Sequence, residues 1–64
     1  MYTSIQKHYR GFFFQRDYED RELFNDDMKF HAEGPNEICW AFLLTESGEK
    51  VAEYRRGYSM AEYL

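Results

Sequence analysis

Residues 38–54 read ICWAFLLTESGEKVAEY: an apolar run, a polar break and a second, alternating run. The pattern predicts a β-hairpin at the centre of the fold, because the break contains glycine and other turn-forming residues. Side chains alternate between the two faces of a strand. One face of the first strand is therefore predicted to consist of Ile38, Trp40, Phe42 and Leu44.

The opposite face of this strand is apolar as well and consists of Cys39, Ala41 and Leu43. A strand that is apolar on both faces is typical of a central position with cover on both sides. Trp40 and Phe42 are therefore predicted to be buried, and Phe42→Ala is predicted to cost about 3–5 kcal/mol. The second strand, residues 50–56, alternates, which indicates a half-exposed neighbour.

The residues before the hairpin predict further strands and a short helix. Residues 1–15 are rich in β-prone side chains and indicate an N-terminal strand region, in which Gly11 marks a bulge or bend. A short helix is predicted over residues 18–25, with Asp17 as its N-cap. A short strand is predicted to follow over residues 28–32, where apolar and polar residues alternate.

The C-terminal residues predict a second helix. Ser59 is followed three residues later by Glu62, which is the spacing of a capping box. The apolar side of this helix is predicted to consist of Met60, Tyr63 and Leu64. The chain is thus predicted to form one small domain, residues 1–64, of the α+β class: a small antiparallel sheet of three to four strands with one or two short helices.

Charge is distributed unevenly along the chain. The formal net charge of −4 consists of +3 in residues 1–16, −6 in residues 17–37 and −1 in residues 38–64. Proteins that bind nucleic acid need an excess of cations to displace counterions from phosphate. The acidic balance therefore predicts no direct binding to nucleic acid.

Aromatic residues make up 20% of the chain: six tyrosines, six phenylalanines and one tryptophan. A core of this size has little room for so many rings. Two interpretations remain open: the aromatics compensate for a small core, or some of them form a protein-binding surface. Small domains without disulfides often gain stability by oligomerising, so self-association to a homodimer is predicted.

Cysteine content and hydropathy bear on the compartment. Cys39 is the only cysteine, which excludes an intrachain disulfide, and its apolar strand predicts a small buried hydrophobe. No apolar stretch approaches the roughly 18 residues of a membrane span, and no charged-then-apolar leader opens the chain. A soluble, cytoplasmic protein without a membrane partner is predicted.

The sequence predicts no enzyme, no cofactor and no metal site. His31-Ala32-Glu33 with Pro35 and Cys39 is faintly similar to zinc deaminases, but the second cysteine of that motif is missing. A nucleophile pair of Cys39 with His8 or His31 competes with a core cysteine, which is the commoner arrangement. The acidic segment lacks the regular spacing of a calcium loop, and no glycine-rich phosphate loop is present.

Residues 17–27 read DYEDRELFNDD and form the most acidic segment of the chain. One interpretation is a solvated helix face. The other is a surface that mimics nucleic acid, because spaced carboxylates can pair with the lysines and arginines that line another protein's phosphate-binding groove. The carboxylates concerned are Asp17, Glu19, Asp20, Glu22, Asp26 and Asp27.

The C-terminal third resembles a known family. The similar residues are, in order, Leu43-Leu44, an acidic turn with Gly48, Glu53-Tyr54 before two basic residues, Gly57, Ser59 and Met60-Ala61-Glu62-Tyr63. In this arrangement the segment resembles the short phage-encoded inhibitors of uracil-DNA glycosylase. The resemblance implies a small α+β dimer that blocks the DNA-binding cleft of the enzyme. It also implies that Glu53 is an acidic contact residue and that Tyr63 is an aromatic on the family's helix.

The predicted function is that of a small, acidic, non-enzymatic binding protein. It would be a phage-type inhibitor that occupies, by DNA mimicry, the nucleic-acid-binding groove of a host enzyme or defence complex in the cytoplasm of an infected bacterium. The alternative is a structural or assembly subunit that dimerises through exposed aromatics and inhibits nothing. Mimicry requires carboxylates in one surface band, whereas assembly requires an exposed apolar patch of several hundred Å². The predicted partner-binding residues are Asp17, Glu19, Asp20, Glu22, Asp26, Asp27, Glu53, Tyr58 and Tyr63.

Overall fold

The computed structural model describes residues 1–57 together with the backbone of residues 61–62. In chain order the elements are β1 (Tyr2–His8), β2 (Phe13–Tyr18), α1 (Arg21–Glu33), β3 (Ile38–Leu44), β4 (Lys50–Arg55) and β5 (Ala61–Glu62). The strands form one antiparallel sheet in the order β2-β1-β3-β4-β5, in which β5 has only two residues. The predicted α+β class is confirmed.

Two β-hairpins build the sheet. β3 and β4 form the predicted hairpin, and its turn is closed by a 2.9 Å hydrogen bond from the Gly48 amide to the Thr45 carbonyl. β1 and β2 form another, because the chain turns at Gly11, whose φ of +99° suits a residue without a Cβ. The predicted N-terminal strand region is therefore two strands with a turn at the predicted bend.

The helix begins later and runs longer than the sequence predicts. Tyr18 remains in β2, where it pairs with Tyr2, so the N-cap is Asp20 and not Asp17. The Leu23 amide donates to the Asp20 carboxylate at 3.0 Å. The strand predicted over 28–32 is wrong, because those residues continue α1.

Helical periodicity explains that correction. Phe24 and Met28 are one turn apart on α1, and both are fully buried against the sheet. Met28 thus belongs to an apolar stripe with period 3.6 and not to an alternating strand. The Phe24 ring meets the Tyr18 ring edge-on at a centroid distance of 5.6 Å, which joins the helix to β2. The buried core on this side consists of Tyr18, Phe24, Met28, Ile38, Ala41, Leu43, Val51, Ala52 and Tyr54.

The other face of the sheet is open within the described part of the chain. Trp40 and Phe42 lie on this open face and are only partly covered, so the prediction that they are buried is wrong. The register between β1 and β3 shifts between Lys7 and His8, so that Cys39 is the extra residue of a β-bulge in β3. Because of this bulge, Ile38 lies on the helix side, where it is buried. The central position of β3 is as predicted, but among the residues that the structure describes its cover comes from the side of α1.

The predicted C-terminal helix is wrong at Ala61–Glu62, which form β5 and pair with Ala52 and Glu53 of β4. Its remaining residues lie outside the described part of the chain; these are Ser59, Met60, Tyr63 and Leu64. Among the described residues, no helix combines the length and the hydropathy needed to cross a membrane.

Candidate functional site

One end of the molecule gathers exposed carboxylates. β2 ends there, and the following turn leads directly into α1. Asp17, Glu19, Asp20 and Glu22 are all exposed at this point of the chain, and Asp26 is exposed one helical turn beyond Glu22. Five of the nine predicted partner-binding residues therefore lie together on the surface.

The antiparallel register adds two carboxylates that the sequence reasoning missed. Thr3 pairs with Asp17 on one side and with Leu44 on the other, so the β3–β4 turn reaches the same end of the sheet. That turn carries Glu46 and Glu49, both exposed. A shallow depression at this end is lined by Met1, Tyr2, Glu19, Thr45, Glu46 and Ser47. We name this region the acidic end; its residues are Asp17, Glu19, Asp20, Glu22, Glu46 and Glu49.

Some of these carboxylates have local partners. Asp20 caps α1, Asp17 accepts a 3.2 Å hydrogen bond from the Thr3 hydroxyl, and Glu46 lies 3.3 Å from the N-terminal ammonium group. Among the described residues, Glu19 and Glu22 form no ion pair and no side-chain hydrogen bond. These two are therefore the carboxylates most available to the lysines and arginines of another molecule.

Asp27 faces inward and is engaged by the protein itself. The Tyr18 hydroxyl donates to its carboxylate at 2.5 Å, Arg16 donates at 3.2 Å, and the His31 Nε2 atom lies 3.8 Å away. Burial and this hydrogen bond raise the pKa of the Tyr18 hydroxyl to about 12. The arrangement makes Asp27 an anchor between helix and sheet.

Glu53 lies apart from the acidic end. It pairs with Phe42 across the sheet and so belongs to the open face, and β1 and β3 lie between its strand and β2. The Lys50 ammonium donates to its carboxylate at 2.8 Å, and this hydrogen bond holds the Glu53 pKa below its usual value. Glu53 therefore does not join the acidic segment in one band. Tyr58 and Tyr63 lie outside the described residues.

The open face carries a cluster of aromatic rings. The Trp40 and Phe42 rings stack at a centroid distance of 4.8 Å, and the Phe13 ring lies 5.7 Å from that of Trp40. Lysines flank the cluster: Lys50 lies 5.0 Å from the Phe42 centroid and Lys7 lies 5.7 Å from that of Phe13, which is within cation–π range. We name this surface the aromatic face; its residues are Phe13, Trp40, Phe42, Ile5 and Leu44.

The end of the sheet opposite the acidic end is basic. The β1–β2 turn brings Arg10 there, and β4 ends there with Arg55, which is paired with Trp40, and then Arg56. All three arginines are exposed. Two exposed carboxylates, Glu33 and Glu37, also lie at this end, and that of Glu37 is 3.5 Å from the His8 imidazole. We name the three arginines the basic end.

A groove between α1 and the first hairpin holds both histidines of the chain. It has a volume of about 300 Å³ and is lined by His8, Phe12, Phe14, Arg16, His31, Glu37 and Ile38. Each imidazole faces a carboxylate, His8 that of Glu37 and His31 that of Asp27. Among the described residues, no group of three or more histidine, cysteine, aspartate or glutamate side chains is arranged to hold a metal ion.

Comparison of the chain with protein-family models, with curated proteins and with solved structures found no match. The resemblance of residues 43–63 to the uracil-DNA glycosylase inhibitors therefore stays a prediction.

Proposed function

We propose that this protein is a small, non-enzymatic binding protein that inhibits a nucleic-acid-binding enzyme or defence complex by occupying its basic groove. One observation carries the proposal. The fold brings exposed carboxylates from two separate chain segments, residues 17–22 and residues 46–49, to a single end of the molecule. The six carboxylates of the acidic end outnumber the cations beside them, which are the N-terminal ammonium group, Arg21 and Lys50.

The physical basis is electrostatic. A groove that binds phosphates holds lysines and arginines at fixed positions, and clustered carboxylates can pair with them in place of phosphates. Such charge clusters also accelerate the encounter by steering, and this effect weakens as salt rises. Glu19 and Glu22 suit this role best, because their carboxylates are not used within the described part of the protein.

The resemblance described above favours a particular class of target. Uracil-DNA glycosylase of an infected bacterium is the enzyme that the similar family inhibits, and Glu53 is the residue that matches its acidic contact. In this protein Glu53 is ion-paired on the open face. Binding through Glu53 would therefore require the Lys50 partner to move or to join the interface.

The test compares two variants with the same change in net charge. Glu19→Gln with Glu22→Gln neutralises the acidic end, whereas Glu33→Gln with Glu37→Gln removes the same charge at the other end of the molecule. The partner is recovered by pull-down from a bacterial lysate, and uracil-DNA glycosylase is measured in parallel. Association rates are then recorded across a salt series.

We expect the acidic-end variant to associate roughly tenfold more slowly at low salt and to show a flatter salt dependence, with the control close to the parent. Folding should be retained in both, because exposed charges contribute little to stability. Equal rates for parent and acidic-end variant at every salt concentration would contradict mimicry. Lack of inhibition of uracil-DNA glycosylase alone would exclude only that target.

The alternative function, an assembly subunit without inhibitory activity, is favoured by a different observation. The aromatic face presents rings that lie outside the helix-covered core, and Phe13 is 61% exposed. Exposed apolar patches of this kind mark protein–protein contacts. This second function would be supported by a chain that self-associates but whose acidic-end variant shows no slower association with any partner in the salt series.

A further inference from the structure

A row of four side chains crosses the open face of the sheet near the basic end. The pairing of the strands places Phe13 of β2, Lys7 of β1, Trp40 of β3 and Arg55 of β4 next to one another in that order. Rings and cations therefore alternate along the row. The row spans three gaps between neighbouring strands, which corresponds to roughly 14 Å. We name these four residues the ring–cation row.

The two rings of the row face solvent. Phe13 is 61% exposed and Trp40 is partly exposed, and the centroids of their rings are 5.7 Å apart. The Trp40 ring also stacks on that of Phe42 at 4.8 Å, and the Lys50 ammonium lies 5.0 Å from the Phe42 centroid. Phe42 thus supports the indole from the neighbouring row. Exposed, supported rings are suited to stack on the bases of a single strand, because every base has a π-face.

The cations of the row are not used in ion pairs. Among the described residues, neither Lys7 nor Arg55 lies within ion-pair distance of a carboxylate, and the same holds for Arg10 in the β1–β2 turn. Glu53, in the neighbouring row, is bonded to Lys50 at 2.8 Å, and this bond, with smaller contributions from the charges of Lys50 and Arg55, lowers the Glu53 pKa. The three cations are therefore available to phosphate groups.

Other carboxylates lie away from the ring–cation row. Asp17 is four residues from Phe13 along β2, which corresponds to roughly 13 Å. At the basic end, the Glu37 carboxylate faces His8, which points to the helix side of the sheet, and Glu33 ends α1. The net charge of −4 argues against a nucleic-acid partner for the chain as a whole. The fold separates the charges, so that this argument does not extend to the row.

We propose that the ring–cation row binds single-stranded nucleic acid. The strand would run across the sheet, with one base on each ring and with phosphates against Lys7 and Arg55. A strand that ran along β2 instead would meet the Asp17 carboxylate, so the charges of the face also set the direction of the ligand. Binding would tolerate different sequences, because neither stacking nor phosphate contacts read the edges of the bases.

Nucleic acid fits this row better than a protein surface does. The centre of a protein interface is depleted of charged residues, whereas here the Lys7 ammonium lies between the two rings and would have to be desolvated. A single strand alternates planar bases with phosphates and so offers a partner to the rings and to the cations alike. The proposal goes beyond the proposed inhibition, since the acidic end lies at the other end of the strands.

The first test measures binding of a thymidine oligonucleotide of about ten nucleotides to the full chain, through quenching of its single tryptophan, Trp40. We expect quenching at low salt and a log–log slope of affinity against salt concentration of about −2, as three cations would contact phosphates. RNA of matched length should bind similarly. A duplex should bind at least about tenfold more weakly, because its bases are already stacked. Lack of quenching at low salt, or equal affinity for the duplex, overturns the proposal.

The second test removes one ring or one charge and follows the anisotropy of a labelled oligonucleotide. Phe13→Ala should weaken binding at least about fivefold, whereas Phe30→Ala, which removes a 62% exposed ring from α1, should bind like the parent. Arg55→Gln should make the salt slope shallower by about 0.7. Lys29→Gln, which makes the same charge change on α1, should leave the slope unchanged.

All four substituted side chains are exposed, so the folded state should be retained, which circular dichroism checks. Equal affinity of Phe13→Ala and the parent would mean that the oligonucleotide is held by charge alone and would overturn the stacking site. An unchanged salt slope in Arg55→Gln would remove the phosphate contact from the row. A protein captured by the parent but not by Phe13→Ala, in a chain that binds no oligonucleotide, would assign the face to protein and overturn the proposal.

Discussion

The two faces of the sheet carry large apolar side chains in similar numbers, yet their surroundings differ. On the covered face, the side chains of Tyr18 and Phe24 interlock and are shielded from water. On the open face, Trp40 and Phe42 stack on each other and on lysine side chains while remaining partly exposed. The comparison teaches that an apolar strand position does not by itself tell which face of the sheet the helix covers.

The largest expected difference between the two faces is the cost of truncating one ring. Phe24→Ala should lower the free energy of unfolding by about 3–5 kcal/mol, since it leaves a cavity in the closed core. Phe42→Ala should cost only about 1 kcal/mol, because the ring is already partly in water. Urea unfolding at low micromolar concentration measures both. Equal costs would mean that the open face is covered within the monomer.

Alkaline titration tests the covered face, and its expected effect on the free energy of unfolding lies between those of ring truncation and of cap removal. The Tyr18 pKa is about 12 in the folded state, whereas an unfolded tyrosine titrates near 10. The folded state therefore holds the hydroxyl proton more tightly than the unfolded state does. The contribution of this proton to the free energy of unfolding is complete below pH ~10 and is lost as pH rises toward ~12. Over this pH range the free energy of unfolding should fall by roughly 2 kcal/mol.

Unfolding free energies measured between neutral pH and pH ~12 test this slope. Tyr18→Phe should lower stability at neutral pH, since Gln6 and Asp27 lose a hydrogen-bond partner. It should also reduce the alkaline slope, and the remainder is expected from Tyr54, since burial raises the pKa of that hydroxyl too. Tyr9→Phe is the control, because Tyr9 is exposed and should leave the slope unchanged. A slope that persists unchanged in Tyr18→Phe would assign the alkaline sensitivity to another group.

The smallest expected effect concerns α1, the helix that covers one face of the sheet. Asp20→Ala should destabilise the fold by about 1 kcal/mol, because the Leu23 amide loses its capping acceptor. Asp20→Ser should retain most of the stability, since serine caps well, and Glu19→Ala, at the exposed neighbour, should change little. Thermal unfolding of the three variants measures these differences. Loss of stability in Glu19→Ala but not in Asp20→Ala would place the cap elsewhere.

Local signals in the sequence were sufficient for part of this fold. The β3–β4 hairpin was predictable because its turn chemistry, including Gly48, lies between two β-prone runs. The identity of the buried face was not, since both faces of β3 are apolar. Only the position of α1 and the shift beside Cys39 decide which face is buried. The start of α1 was missed because Asp17 and Asp20 are equally good caps, and strand pairing of Tyr18 settles the choice.

The candidate site was predictable to a similar degree. Exposed carboxylates from Asp17 to Asp26 follow from the acidic segment itself. The inward turn of Asp27 depends on its bond to Tyr18, and the arrival of Glu46 and Glu49 depends on how β1 pairs with β2 and β3. Both are long-range effects. The sequence did contain a signal for the position of Glu46 and Glu49, since an acidic turn after a central strand must reach one end of the sheet.

The order of the strands also bears on how the chain reaches its native state. β1 lies between β2, its neighbour in sequence, and β3, to which it is joined by pairs as distant as Thr3 with Leu44. The two hairpins can each close a short loop, whereas the β1–β3 seam must close a loop of about forty residues and pays more chain entropy. We expect the seam to form late and to limit the folding rate. Ile5→Val, at the seam, should then slow folding more than it speeds unfolding in stopped-flow experiments.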